Sequence, residues 1–99
     1  MKKLRTFDAA EYLDTPEAQA EFITAALETG DQAYVARAIG IVARARGMTA
    51  IAKEAGITRE ALYRSFSETG DPKLSTLLGV FHALGLQVSV APAPPAEAA

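Results

Sequence analysis

Cysteine is absent from the 99-residue chain, which excludes disulfide scaffolds, zinc–cysteine sites and thiol catalysis together. Histidine occurs once, at His82, with no serine, cysteine or paired carboxylates set beside it as a catalytic group would need. A glycine-rich phosphate loop and metal-ligand spacings are missing as well. These absences point away from an enzyme and call for no cofactor or metal. No apolar run approaches the roughly 20 residues that span a bilayer. The basic start, from Met1 through Lys2, Lys3 and Arg5, lacks the apolar stretch of a secretion signal. A cytoplasmic protein is the expectation. A strong charge of either sign is also lacking, since the net value is −2.

What remains is the balance of a globular domain, 49% hydrophobic and 22% charged, and long enough for one compact unit. A domain of this size buries roughly two-thirds of its unfolded surface and can be stable without staples. The charges are unevenly spread. Asp8, Glu11, Asp14, Glu17, Glu21 and Glu28 dominate the first 30 residues, against Lys2, Lys3 and Arg5. The stretch 31–73 is mildly basic, through Arg37, Arg44, Arg46, Lys53, Arg59, Arg64 and Lys73. An acidic front and a basic middle suggest two kinds of partner, although chance alone often produces such a split.

Local signals divide the chain into an arm (1–14), a helical domain (15–90) and an Ala/Pro-rich tail (91–99) expected to be disordered. Thr15-Pro16-Glu17 opens a helix: the hydroxyl caps, proline suits the first turn and the acid favours the positive helix end. Phe22, Ile23, Ala26 and Leu27 form its stripe, and Gly30 stops it. Asp31 caps a second helix, with Val35, Ala38, Ile39 and Val42 as its main stripe, widened by Tyr34, Ile41 and Ala45. Two short helices follow, around 48–55 and 59–66, and then a loop over 67–72. A last helix from Lys73 to Leu84 carries Leu74, Leu77, Leu78, Phe81 and Leu84 on one face. Residues 87–90 alternate polar and apolar, the pattern of a half-buried strand. The expected class is all-α: five helices with one short carboxyl-terminal strand.

The informative segment is 51–66. Its two short helices are joined by a turn whose Gly56 can take a positive φ at no steric cost. Ala52 is small where the helices cross, and Ile57 and Leu62 fill the space between them. This is the make-up of a helix-turn-helix, in which the amino end of the second helix enters the major groove of double-stranded DNA. Arg59, Glu60, Tyr63 and Arg64 fall along one face of that helix and are the candidate base readers. Arginine grips guanine bidentately, glutamate accepts from cytosine, and tyrosine packs on a thymine methyl or reaches a phosphate. Thr49, Thr58, Ser67 and Lys73 are candidates for backbone phosphates, which fix register without reading sequence. A solvated face on an ordinary bundle has the same residue types, so spacing alone leaves a protein-only interaction module open. For Arg44 and Arg46, a favourable place near a helix carboxyl end is explanation enough.

Residues from about Phe7 to Leu86 resemble the "probable addiction module antidote" family of bacterial proteins, a branch of the phage-repressor-like helix-turn-helix proteins. The resemblance is carried by 7–13 (FDAAEYL), 43–49 (ARARGMT), 51–63 (IAKEAGITREALY), 74–78 (LSTLL) and 83–86 (ALGL). It implies an antitoxin of a type II toxin–antitoxin pair. Such a protein sequesters a small basic toxin similar to the RelE/ParE group and, as a homodimer, represses the shared operon. Phe7, Tyr12 and Leu13 are then candidate toxin anchors, although for Phe7 and Tyr12 packing against the core is an equal alternative. Phe22 is more simply a core residue. Phe81, Val88 and Val90 are the candidate dimer contacts, because an unmated strand can pair across a two-fold axis. Where the family has Gly-Asn-Pro, this chain has Gly70-Asp71-Pro72, which weakens any claim of that loop on DNA.

Overall fold

A computed structural model describes residues 12–95, and the described residues include the helices α1 (Pro16–Glu28), α2 (Gln32–Arg46), α3 (Met48–Ala55), α4 (Arg59–Ser65) and α5 (Leu74–Leu84). The expected start and stop signals do their work. The Thr15 hydroxyl accepts from the Ala18 amide at 3.1 Å, with Pro16 in the first turn. Asp31 accepts from the amides of Ala33 and Tyr34, and Thr58 accepts from Ala61 at 3.0 Å. Each cap satisfies amides that have no partner inside the helix, an effect worth about 1 kcal/mol. Gly56 and Gly85 close α3 and α5 in the left-handed conformation, at φ 77° and 73°.

The central helix is α2, which touches α1, α3 and α4, while α3 packs against α5. Its buried face is Ala36, Ala38, Ile39, Gly40, Val42 and Ala43. Tyr34, expected to widen the core stripe, stays half exposed at 50%. Small residues displace it, because the helices approach closely there. A Cβ on Gly40 would collide with the Phe66 carbonyl at the end of α4. Glycine at this position lets the chain leaving α4 lie directly on α2.

A polar clip ties the ends of the bundle together. Arg46 donates to the Leu84 carbonyl at 2.8 Å and to Gln19 Oε1 at 3.1 Å. Gln19, only 2% exposed, donates in turn to the Leu13 carbonyl at 3.1 Å. Buried polar groups need such partners, and this chain of bonds fixes the segment before α1 against the carboxyl ends of α2 and α5.

Three expectations need correction. No strand occurs among the described residues, and 87–90 run as irregular chain. Alternation supplies one half-buried face, but a strand also requires a neighbour for its backbone bonds, and none is offered among the described residues. Leu13 is not a surface anchor: it is 1% exposed and part of the core. Phe81 is likewise a core residue at 7% exposure. The apolar face of α5 is wider than the core can cover. Its Val80, Phe81, Ala83 and Leu84 point inward, leaving Leu74 and Leu78 exposed at 69% and 49%. Leu77 lines an open apolar groove of about 340 Å3 with Leu27, Val35 and Phe66. Among the described residues, no helix is long and apolar enough to cross a membrane.

Candidate nucleic-acid interface

Helix α3, the turn at Gly56-Ile57-Thr58 and helix α4 make the helix-turn-helix unit, and the core decides which way α4 faces. Leu62 (0% exposed) and Phe66 (4%) seal one side of α4 against the bundle, beside Ala52 (3%) and the partly buried Ile57. With that side fixed, Arg59, Glu60, Tyr63 and Arg64 all face solvent. The helix starts at Thr58, whose hydroxyl accepts from Ala61 and keeps its own proton for an outside acceptor.

On this surface the structure assembles four side chains from three helices. Arg59 donates to the Thr49 hydroxyl at 3.3 Å and to the Tyr63 hydroxyl at 3.5 Å. Its guanidinium carbon lies 5.6 Å from the centre of the Tyr63 ring, and that of Arg44, from the last turn of α2, lies 5.5 Å from the same centre. Both distances are within the range of cation–π attraction. The hydrogen bond from Arg59, joined by the charges of Arg59 and Arg44, holds the Tyr63 phenol below its ordinary pKa. The same hydrogen bond, the negative charge of Tyr63 once ionised and, to a smaller extent, Glu60 raise the Arg59 pKa. The chemistry offered is a set of forked cationic donors around one aromatic ring, suited to phosphate oxygens and guanine edges.

The remaining phosphate candidates stand apart from this cluster. Ser67 donates its single hydroxyl proton to the Arg64 carbonyl at 3.0 Å, so it closes the end of α4 in this conformation. Lys73 is exposed immediately before α5. Gln32 donates to Asp71 Oδ1 at 3.2 Å and, more weakly, to the Gly70 carbonyl at 3.4 Å, which ties the loop's unusual acid to the start of α2. Sequence reasoning missed Arg44. It lies nineteen positions before Tyr63, and no local spacing announces a contact made only when α2 packs on α4.

Elsewhere on the surface, Asp14, Glu17, Glu21 and Glu28 are all exposed on or just before α1. Tyr12 is 53% exposed, whereas Phe7 lies outside the described residues. Val88 and Val90 are exposed at 51% and 95%. Among the described residues, no group of three or more histidines or carboxylates is placed to hold a metal ion.

Comparison with known proteins gives a consistent lineage. A Haemophilus influenzae (strain Rd) protein described as "Uncharacterized protein" is 39% identical over 89 residues, spanning 90% of this chain and 92% of its own. No solved structure matches the chain significantly. Residues 3–92 match the family described as "Probable addiction module antidote protein", and the chain belongs to that family.

Proposed function

We propose that this protein is the antitoxin of a type II module, which neutralises a small basic toxin of the RelE/ParE kind and, as a homodimer, represses its own operon. Membership of the antidote family supports the first half. The observation that carries the second is the outward face of α4, where Arg59, Glu60, Tyr63 and Arg64 stand in solvent while Leu62 and Phe66 hold the helix in the core. In this reading Arg59, Glu60, Tyr63 and Arg64 reach base edges, with Thr49, Thr58 and Lys73 on flanking phosphates. Ser67 joins them only by giving up its bond to the Arg64 carbonyl.

The exposed carboxylates of α1 suit a basic toxin, steering its approach more than setting its affinity, with Tyr12 and Phe7 as the apolar anchors. Dimerisation uses the exposed leucines of α5, Leu74 and Leu78, together with Val88 and Val90. Two such subunits present their α4 helices to half-sites about one DNA turn apart.

Expression in bacteria tests both halves. A small basic protein encoded beside this one should arrest growth when expressed alone and not when this protein is co-expressed, and a reporter driven by the promoter upstream of this protein should fall; a neighbourhood with no such reading frame would count against the pairing. Growth rescue with an unaffected reporter would leave a toxin-binding protein that keeps the helix-turn-helix shape without binding DNA. Its net charge of −2 is compatible with that second reading. Failure of rescue would overturn the antitoxin role.

A further inference from the structure

Two arginines on the last turn of α2 differ in a way that their sequence positions do not explain. Arg46 is consumed by the fold, through its bonds to the Leu84 carbonyl and Gln19. Arg44 has, among the described residues, only Tyr63, over whose ring it lies and toward whose hydroxyl it turns a donor. Arg59 shares that ring and has only the hydroxyls of Thr49 and Tyr63 for hydrogen-bond partners. Neither guanidinium meets a carboxylate within salt-bridge distance among the described residues, although Glu54, Glu60 and Glu68 belong to the same region of the chain. Two cations gathered about one tyrosine, with no carboxylate paired to either, repel each other until an anion arrives. The forked donors of arginine match the oxygens of a phosphodiester.

We propose that Arg44 and Arg59, held by the Tyr63 ring, form a clamp for a single backbone phosphate of duplex DNA. Arg44 is thereby a DNA-binding residue outside the helix-turn-helix unit, and Tyr63 is the positioning residue that aims both guanidiniums. The inference rests on the DNA-binding reading above. Phosphate, rather than a base edge, is the partner because Arg44 projects from α2, while α4 supplies the groove-reading face. Arg59 then has two uses, one oxygen of the clamped phosphate and the first base edge beside it.

The test is fluorescence-anisotropy titration of the full chain against its own promoter duplex and a scrambled duplex of equal length, over a series of salt concentrations. Arg37→Ala is the control, since Arg37 is an exposed arginine on the same helix that lines a different surface with Phe22 and Ile41. Arg44→Ala should weaken both duplexes by a similar factor, on the order of tenfold, and flatten the dependence of log K on log salt by about 1. Arg37→Ala should leave both properties near wild type. Tyr63→Ala should weaken both duplexes at least as much as Arg44→Ala does, with any further loss of base reading confined to the promoter duplex, and Tyr63→Phe, which keeps the ring, should recover most of the loss common to both. Arg44→Ala behaving like Arg37→Ala would overturn the clamp while leaving DNA binding by α4 intact. A loss confined to the promoter duplex would overturn it too, because a base reader, not a phosphate contact, gives that result. Absence of wild-type binding to either duplex would overturn the clamp and the DNA-binding reading together.

Discussion

At the residue scale, hydrogen-bond partners separate side chains that composition treats alike. Arg44 and Arg46 both read as basic residues favoured at a helix end, and both do occupy the last turn of α2. Only packing reveals that Arg46 bridges α1 and α5 while Arg44 lies over Tyr63. Arg46→Ala should therefore lower stability by about 1–3 kcal/mol, because the Gln19 amide and the Leu84 carbonyl lose their partner. The midpoint of a urea unfolding curve checks this, and an unchanged midpoint would show that water replaces the guanidinium. The outward side of α4 was legible: helical spacing from the turn at Gly56 put Arg59, Glu60, Tyr63 and Arg64 on one face, and all four are exposed. What spacing cannot encode is a contact such as Arg44 with Tyr63, which depends on two helices that meet only in the folded chain.

At the element scale, the starts and stops of helices are local, and they could be read directly. Thr15, Asp31 and Thr58 cap as expected because the cap and the amide it serves lie within three residues of each other. Burial within a helix is less local. The stripe on α2 was expected to include Tyr34, yet the core instead uses Ala36, Gly40 and Ala43, since close helix packing selects small residues. Replacing Gly40 by alanine should thus cost about 1–3 kcal/mol, as the new methyl group pushes the Phe66 carbonyl away from α2. Thermal unfolding would show it, and a variant as stable as wild type would mean that α4 can shift at no cost. The expected strand at 87–90 fails for a related reason. Alternation is a property of one segment, whereas a ladder needs two, and the bundle provides no second.

At the scale of the whole molecule, the charge split visible in the sequence becomes a division of surfaces. Exposed carboxylates line α1, and a cationic, tyrosine-centred patch joins α2, α3 and α4. Apolar surface on α5 forms a third region, where Leu74 and Leu78 are left uncovered by a core that already holds Phe81. The all-helical class followed from helix-period stripes and caps, and the family from short words spread along most of the chain. The interface assignments reach beyond both, because exposure in a single folded chain does not name what covers a surface. Phe81 and Leu13 show the difficulty: apolar side chains near a proposed interface serve the core first.

The central claim, that the α4 face reads operator DNA, is tested most directly by an electrophoretic shift on the protein's own upstream promoter at two salt concentrations. Wild type and the Arg59→Ala/Arg64→Ala double variant would be run side by side. The account predicts a specific, salt-sensitive complex for wild type. Each arginine contributes about ten- to a hundredfold to its affinity, so the double variant, still folded because both side chains lie in solvent, should form no specific complex. Equal binding by the two proteins would contradict the assignment of α4 as the reading helix.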